Sequence, residues 1–329
     1  MSGILVLGET ADGRMQPVTA ELISAGRSLH EELGQDVAVA FLGSDLDDAA
    51  SEAFSYGADT VYTVQDPLLA EPGVDAGVAA FQEACGRVEP DVVIVGRTAL
   101  GRDIGPRLAF RLGTGLAQDC TDLEVDQDTK RVVATRPVYG GNALAKVTFT
   151  GSSPQIVILR LKAFEPLEPD PSRTGEVVTI DAGLDPSMIR SLLVETVRSE
   201  SEGVRLEDAS IVVSGGRGLG GPEPFEVLEE LAQLLGGAVG ASRAVCDAGW
   251  LDHSYQVGLT GKTVAPDLYI TVGISGASQH MAGCSGAKHI VAVNRDAEAN
   301  IFKSANFGVV GDWSKVLPSF LETVRELVE

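Results

Sequence analysis

A glycine-rich loop follows a predicted strand at Gly216-x-Gly218-x-x-Gly221, within the sequence SGGRGLGG of residues 214–221. This spacing after a strand is typical of dinucleotide-binding loops, in which the backbone approaches a pyrophosphate closely. Such sites also place an acidic residue about 20 positions further on, at the end of the next strand, to bind a ribose hydroxyl. Here that strand is followed by Ser242 and Arg243. The loop therefore indicates a nucleotide, but the pattern of a standard NAD site is incomplete.

A second loop, Gly273-Ile-Ser-Gly-Ala-Ser-Gln-His280, connects a predicted strand to a predicted helix. Backbone N–H groups at such a junction are suited to binding an anion, and Ser275 and Ser278 add hydroxyl donors. His280 is expected one turn into the helix, close to whatever is attached to the phosphate. The sequence thus predicts an anion site with an adjacent imidazole.

A third polar and glycine-rich segment, residues 256–263, has the sequence QVGLTGKT. It ends like an ATP-binding P-loop, but that motif requires glycine where this chain has Gln256. Nucleotide hydrolysis is therefore disfavoured. No nucleophilic triad, general acid–base pair or metal-ligand cluster is evident, so we expect no catalytic side chains and no metal.

The composition excludes several classes of protein. Among 329 residues, 47 are acidic and 25 are Lys or Arg, which gives a net charge of −22. Nucleic acids and anionic membranes require a basic surface, so neither is an expected partner. The four cysteines are far apart, there is no basic leader followed by an apolar stretch, and no run is long enough to span a bilayer. We expect a cytoplasmic protein.

The predicted elements place these loops at strand ends. Strands over 4–9, 37–43, 60–65 and 91–98 alternate with helices, one of which has Leu22, Ala25 and Leu29 on one face. Such alternation predicts parallel β-α-β units. The β-rich segments RVVATRPVYG, AKVTFT and QIVILRL, between residues 119 and 162, are interpreted as antiparallel strands added to that sheet.

A second alternation begins near residue 210. Predicted strands cover 210–215, 238–242, 267–273, 288–294 and 306–311, and residues 312–328 form a closing helix. The fold class is therefore α/β, with an N-terminal mixed-sheet domain over 1–196 and a C-terminal Rossmann-like parallel-sheet domain over 209–329. The charged, apolar-poor stretch 195–208 separates them, and we expect a hinge at 197–208.

Four C-terminal segments together resemble the alpha subunit of electron transfer flavoproteins. They are VVSGGRGLGG (212–221), AVGASRAVCDAGW (238–250), QVGLTGKTVAPDLYITVGISGASQHMAG (256–283) and VAVNRDAEANIF (291–302). They follow the family's order and spacing over nearly all of residues 210–312, whereas the N-terminal half resembles the family in layout only. The resemblance implies FAD in the C-terminal domain and a beta subunit packed on the N-terminal domain.

The resemblance also implies site residues. Arg217 would contact the pyrophosphate region, and Ser242 and Arg243 would lie next to the isoalloxazine, whose edge residues 257–260 would line, with the Thr260 hydroxyl near N5. Residues 275–280 would hold pyrophosphate and flavin, with the His280 imidazole toward O2, and Asn294 and Asp312 would contact the adenosine side. The full set is Arg217, Ser242, Arg243, Val257, Gly258, Leu259, Thr260, Ser275, Gly276, Ala277, Ser278, Gln279, His280, Asn294 and Asp312. Leu259 departs from the family, which usually has Gln there.

One-electron reduction of the flavin to an anionic semiquinone would place negative charge near N1 and O2. The fixed charge of Arg243 and a hydrogen bond from His280 would stabilise it. His253, close to the third loop, is expected to be a surface or structural residue.

Three functional hypotheses follow. The first is an electron carrier that takes electrons from acyl-CoA-type dehydrogenase flavins or NADH and passes them to a partner. A subclass of this family has a second FAD in the beta subunit and bifurcates electron pairs. The second is a nicotinamide-dependent oxidoreductase that uses the Gly216–Gly221 loop. The third is an adenine-nucleotide sensor, disfavoured because Arg97 to Leu100 interrupt the loop that such sensors use.

Overall fold

A computed structural model describes residues 3–43, 46–70, 73–139, 143–191, 194, 204–207 and 209–328. The chain divides into two compact units, Met1–Val197 and Arg198–Glu329. Most of the predicted hinge at 197–208 lies outside the described residues, as do residues 195–196.

The first unit contains a long series of short elements. In chain order they are β1 (Ile4–Gly8), β2 (Thr10–Ala11), β3 (Arg14–Met15), α1 (Pro17–Leu33), β4 (Val37–Gly43), α2 (Asp47–Ser55), β5 (Thr60–Gln65), α3 (Val74–Val88), β6 (Val92–Gly96), α4 (Ala99–Leu112), β7 (Leu116–Cys120), β8 (Asp122–Val125), β9 (Val132–Val138), β10 (Ala143–Thr148), β11 (Gln155–Leu159) and β12 (Glu176–Asp181).

Seven of these strands form a parallel sheet in the order β12-β5-β4-β1-β6-β11-β7. The inner strands are rich in Val and Ile and are buried, as expected when helices cover both faces. Helix α1 buries Leu22, Ala25 and Leu29 in the core on one face, as its periodicity predicts. The predicted α/β class is confirmed.

One detail of the predicted first sheet is wrong. Strands β8, β9 and β10 form a separate antiparallel sheet, and β11 lies in the seven-stranded sheet, parallel to β6 and β7. The reason is visible in the side chains. The QIVIL sequence of β11 is buried on both faces, which is typical of an inner parallel strand, whereas β10 alternates between exposed and half-buried residues.

The second unit is a smaller α/β layer structure. Its elements are β13 (Ile211–Gly215), α5 (Phe225–Leu234), β14 (Ala238–Ala241), α6 (Arg243–Asp247), β15 (Leu268–Val272), α7 (Ser278–Cys284), β16 (His289–Asn294), β17 (Phe307–Val310) and α8 (Trp313–Val328). All five strands are parallel, in the order β14-β13-β15-β16-β17. The predicted C-terminal parallel sheet is confirmed. Its core includes Phe225, Leu228 and Leu231 of α5 and Leu317 and Leu321 of α8.

This strand order reverses direction between β13 and β15, because β14 lies on one side of β13 and the later strands lie on the other. In doubly wound sheets the loops that follow the two strands at such a reversal diverge and leave a crevice for a ligand. The loops after β13 and β15 are the two glycine-rich loops singled out from the sequence. Among the described residues, no helix is long and apolar enough to cross a membrane.

Candidate functional site

The two glycine-rich loops touch each other through their backbones. The N–H of Gly216 donates to the Val272 carbonyl (2.8 Å) and that of Gly218 donates to the Gly273 carbonyl (3.0 Å). Gly273 has φ +66°, and a Cβ added there would lie 2.9 Å from the carbonyl carbon of Gly218. Glycine is thus required because two strand-end loops meet without room for side chains.

The third polar loop joins the same site. The N–H of Val257 donates to the Ala241 carbonyl (2.9 Å) at the end of β14, and that of Leu259 donates to the Gln279 carbonyl (2.7 Å) in α7. Gly258 has φ +149°, and a Cβ there would lie 3.0 Å from the Gln279 oxygen. The sequence QVGLT therefore spans from the end of one strand to the helix that follows another.

A cavity of about 810 Å³ lies at the carboxyl ends of these strands. Of the residues singled out from the sequence, the structure brings twelve to its wall: Arg217, Ser242, Arg243, Val257, Gly258, Leu259, Thr260, Ser275, Ala277, Gln279, His280 and Asn294. Pockets of 300–1,000 Å³ commonly hold nucleotide-sized ligands. Four separate sequence segments thus converge on one binding-sized cavity.

Three predicted residues lie outside this wall. Gly276, with φ +78°, faces the backbone of Asn300 and Ile301, and Ser278 is the first residue of α7. Asp312 lines a neighbouring cavity of about 190 Å³, which shares Arg217 and Asn294 with the larger one. The Asp312 carboxylate accepts from the backbone N–H (3.0 Å) and the hydroxyl (2.8 Å) of Ser314, so it caps α8.

Arg243 lies at an exposed part of the cavity. Its side chain is 66% exposed, and its Nε donates to Asp247 at 3.2 Å, one helical turn further on. The carboxylate partly offsets the guanidinium charge, and water screens both groups. The field of Arg243 on a ligand is therefore weaker than that of a buried arginine.

His280 is a buried polar residue of the cavity wall, with 7% of the residue exposed. Burial lowers the pKa of this imidazole to about 4, and the backbone of Val257 opposes the shift without reversing it. The ring is therefore neutral at pH 7. Its Nε2 lies 2.9 Å from the Tyr269 hydroxyl, and its buried Nδ1 has no hydrogen-bond partner of normal geometry among the described residues.

Thr260 is held by a chain of polar side chains. The Gln256 amide donates to the Thr260 hydroxyl oxygen (3.0 Å), and the Gln256 carbonyl oxygen lies 3.1 Å from Nδ1 of His253. Gln256 lines the cavity, whereas His253 is not part of the wall and contacts Gln256. With its oxygen accepting from Gln256, Thr260 can direct its own proton toward a ligand.

Comparison with known proteins covers both units. Residues 4–185 match the electron transfer flavoprotein domain, and residues 205–285 match the electron transfer flavoprotein FAD-binding domain. The chain is 43% identical to the electron transfer flavoprotein subunit alpha of Megasphaera elsdenii, over 98% of this chain and 96% of that protein. The chain belongs to the electron transfer flavoprotein alpha-subunit family.

Other members of the family are similar over the same span. The electron transfer flavoprotein subunit alpha of Bacillus subtilis is 43% identical, with 98% of both chains covered. The protein FixB of Clostridium saccharobutylicum is 38% identical, over 99% of this chain and 97% of that protein. The resemblance stated from the C-terminal motifs is therefore confirmed and extends to the N-terminal half.

The residues present fit the flavin that this family implies. The backbone N–H groups of Ser275, Gly276 and Ala277 make no hydrogen bond to another described residue, so they are available to an anion such as a pyrophosphate. Beside them, Nδ1 of His280 is a buried polar atom that makes no hydrogen bond of normal geometry to a described residue, and proteins normally satisfy such atoms. Both features suit a phosphorylated heterocyclic ligand in the cavity.

The predicted set of site residues omits some wall residues of this electron transfer flavoprotein subunit, although Gly218, Gln256 and Gly273 belong to the loops singled out from the sequence. Besides Gln256 they are Gly218, Ala244, Asp247, Gly273, Ile274, Arg295, Asp296 and Ala299. Arg295 and Asp296 directly follow β16, so their position at a strand end was a usable signal. Asp247 could have been found from its spacing of four residues from Arg243.

Two further features of the first unit do not compete with this cavity. A surface groove of about 1,050 Å³ is lined by α3, the end of α4 and residues 182–190. Its acidic residues are paired, Asp75 with Arg107 (3.0 Å) and Glu83 with Arg87 (2.8 Å). The potential ligand atoms of His30, Asp36 and Asp59 lie within 4.8 Å of one another. Within this cluster, Asp59 pairs with Arg27 and accepts from the Val37 N–H (2.9 Å).

Proposed function

We propose that this chain binds FAD in the cavity of its C-terminal unit and carries electrons as one subunit of a heterodimer. The observation that carries the proposal is the convergence of both glycine-rich loops, the 256–260 loop and neutral His280 on one cavity at the reversal of the strand order. FAD supplies reversible one- and two-electron transfer, which no side chain of the cavity can perform.

The protein's part is to bind and orient the cofactor and to set its potential. Amides of residues 275–277 and the side chain of Arg217 would bind the pyrophosphate, and Asn294 and Asp312 would lie on the adenosine side. Thr260 would be free to donate its hydroxyl proton toward N5 of the isoalloxazine, since the Gln256 amide donates to the hydroxyl oxygen. Leu259 and Val257 would lie along the edge of the ring, Val257 as a buried side chain and Leu259 as a partly exposed one.

Arg243 and His280 stabilise the negative charge that the ring gains on reduction. Arg243 provides a fixed charge from an exposed position, which limits its effect. His280 contributes a hydrogen bond rather than a charge, because burial lowers the pKa of the imidazole to about 4. We therefore assign the two residues different tasks. Arg243 acts through its electric field, and His280 acts by donating a hydrogen bond.

The two units have different roles in this proposal. The C-terminal unit carries FAD, and the N-terminal unit packs on the beta subunit that the subunit designation of the relatives implies. Electron donors would be acyl-CoA-type dehydrogenase flavins or NADH. The predicted hinge at 197–208 lies mostly outside the described residues, and the protein is expected in the cytoplasm.

The test is the absorbance spectrum and flavin content of the purified complex of this chain with its beta subunit, followed by titration with NADH. One FAD per heterodimer that NADH does not reduce supports a carrier that serves dehydrogenase flavins. Two FAD per heterodimer that NADH reduces indicate the electron-bifurcating subclass. A colourless complex that binds NADH would contradict the proposal and favour the nicotinamide hypothesis, although no carboxylate follows β14 directly.

A further inference from the structure

Directly behind the cavity wall, the hydroxyl of Tyr269 meets the imidazole of His280. Tyr269 lies on β15, in the middle of the sheet, and is completely buried. Its oxygen is 2.9 Å from Nε2 of His280, and the two rings lie at 28° with centroids 6.1 Å apart. The function proposed above does not use this contact.

The surroundings of Tyr269 decide which of the two groups donates. The ring packs in an apolar cluster that includes Val212, Val257 and Ile290, and burial raises the pKa of the phenol well above its usual value. The phenol therefore keeps its proton, and a buried O–H requires an acceptor. Nε2 of His280 is the acceptor that the described residues offer at normal hydrogen-bond geometry.

The opposite arrangement would leave the phenol proton without a good acceptor. If Nε2 carried the proton and donated to Tyr269, the phenol would have to donate to Ser214 or Cys284. Ser214 Oγ makes no hydrogen bond of normal geometry, and Cys284 directs its Sγ to the His280 carbonyl at 3.6 Å. The arrangement with the fewest unsatisfied groups has the phenol as donor and Nε2 as acceptor.

A neutral imidazole that accepts at Nε2 carries its proton on Nδ1. Nδ1 is the atom of His280 that has no partner of normal geometry within the described part of the chain. The hydrogen bond from Tyr269 to Nε2 thus determines whether Nδ1 is a donor or an acceptor. Hydrogen bonds to metal-binding histidines fix their tautomer in the same way.

We propose that Tyr269 is a positioning residue, which holds His280 as the neutral tautomer protonated at Nδ1 so that the ring donates a hydrogen bond to the bound flavin. This rests on the function proposed above. Without the phenol, no donor at Nε2 would select the tautomer, and the ring could also present an acceptor to a reduced, negatively charged flavin.

The direct test is ¹⁵N NMR at pH 7 of the full chain, with its histidines labelled and combined with unlabelled beta subunit. The chain has four histidines, and the His280 signals are assigned by their loss in His280→Asn. We expect a protonated Nδ1 and an unprotonated Nε2 in the wild type, and a mixture of tautomers in Tyr269→Phe. A protonated Nε2 in the wild type would overturn the proposal even if no variant folds.

A second variant tests the competing arrangement. Ser214→Ala removes the alternative acceptor of the phenol proton, so we expect the wild-type tautomer to persist. A change of tautomer in Ser214→Ala would show that the phenol donates to Ser214, which contradicts the proposal. These spectra can be recorded with or without FAD, so they remain informative if the proposed cofactor is wrong.

The flavin provides the functional readout. In Tyr269→Phe we expect FAD affinity to fall about 3- to 10-fold and the midpoint potential to fall, because the loss is that of one oriented hydrogen bond. The matched control is Tyr255→Phe, which removes a partly buried phenol of the same unit that does not line the cavity. Equal affinity and potential in Tyr269→Phe and the control would contradict the proposal, whereas no FAD binding by the wild type would contradict the proposed function instead.

Discussion

The two units have the same kind of parallel sheet but opposite chemistry where the strand order reverses. In the N-terminal unit the reversal lies between β1 and β6, and the residues that follow these strands bind each other: Thr98 donates to the Glu9 carboxylate at 2.6 Å. In the C-terminal unit the reversal lies between β13 and β15, and glycine-rich loops meet there beside a cavity.

The neighbouring strand ends extend this contrast. In the N-terminal unit, Arg97 after β6 and Arg160 after β11 both contact Asp119, near the end of β7; Arg160 makes two bonds, of 2.9 and 2.8 Å. In the C-terminal unit the strand ends carry hydroxyls, amides and exposed arginines along the cavity. A doubly wound sheet therefore provides a crevice for a ligand. The side chains at the strand ends determine whether they fill this crevice themselves or leave it open.

The largest expected effect is that of Gly273→Ala, which should close the C-terminal reversal. The added Cβ would lie 2.9 Å from the Gly218 backbone at φ +66°, where L-residues are also strained. We expect a loss of about 100-fold or more in FAD affinity, measured by equilibrium titration of the complex. The matched control is Gly236→Ala, with φ +64° and nothing within 4 Å, which should bind FAD normally. Equal losses of FAD affinity in both variants would mean that backbone strain, and not contact with Gly218, causes the loss.

The second prediction concerns the pH dependence of stability, which should have opposite signs in the two units. Burial raises the pKa of Glu9 to about 7, so the folded chain holds a proton that the unfolded chain loses above pH 4.5. The N-terminal unit should therefore lose about 3 kcal/mol between pH 4.5 and 7 from this group, and Glu21, similarly raised to about 7, adds to the loss. In the C-terminal unit the sign is the opposite. Burial lowers the pKa of His280 to about 4, so this unit loses stability as the pH falls from 6.5 to 4.

Hydrogen exchange of the slowest amides in each unit measures this. Glu9→Gln keeps the acceptor for Thr98 and should remove the corresponding part of the pH dependence in the N-terminal unit alone. Glu83→Gln, which changes an exposed carboxylate of the same unit, is the control. If Glu9→Gln leaves the pH profile of that unit unchanged, the pH dependence of its stability does not come from the buried Glu9 carboxyl.

The third prediction concerns the fixed charge at the cavity. Arg243→Ala should lower the one-electron potential of the bound flavin by about 60 mV, a tenfold change for one electron, because the guanidinium is exposed and paired with Asp247. Arg243→Lys keeps the charge and should retain most of the potential. Spectroelectrochemistry that shows no difference between the alanine variant and the wild type would contradict the role of this charge.

The smallest expected effect is that of Leu259→Gln, which introduces the residue usual in the family. Leu259 is 43% exposed at the cavity wall, and an added amide donor should raise the one-electron potential by about 20 mV, or about 0.5 kcal/mol. Leu327→Gln, at an exposed position of α8, should leave the potential unchanged. A decrease in the potential of Leu259→Gln would mean that the amide does not donate to the ring.

Much of this contrast could be predicted from the sequence where the signal is local. The strand-loop-helix pattern around Gly216 and Gly273 indicates both loops, and parallel strands bring their ends to one edge. The role of the glycines was less accessible, because the contact between Gly218 and Gly273 joins segments more than 50 residues apart. The parallel placement of β11 was missed because a short buried strand does not encode its neighbours.

Side-chain environments were the least predictable part of the site. His280 could be proposed as a ligand residue from its loop, but its neutrality depends on burial. Its hydrogen bond to Tyr269 joins it to a residue eleven positions earlier on another element. Arg243 could be placed beside the ligand from the resemblance, whereas its exposure and its pairing with Asp247 depend on how α6 lies on the surface. The sequence identifies the residue types at the strand ends, whereas the exposure of each side chain to solvent depends on the fold.

The most direct test of the account is the hydrogen-exchange footprint of FAD on the apo complex of this chain and its beta subunit. We predict slower exchange on FAD addition in residues 215–221, 256–260 and 273–280, with no change in residues 8–20 and 96–101 around Glu9 and Thr98. Protection at the N-terminal reversal without protection of the glycine-rich loops would contradict the central claim that the open reversal is the cofactor site and the closed one is not.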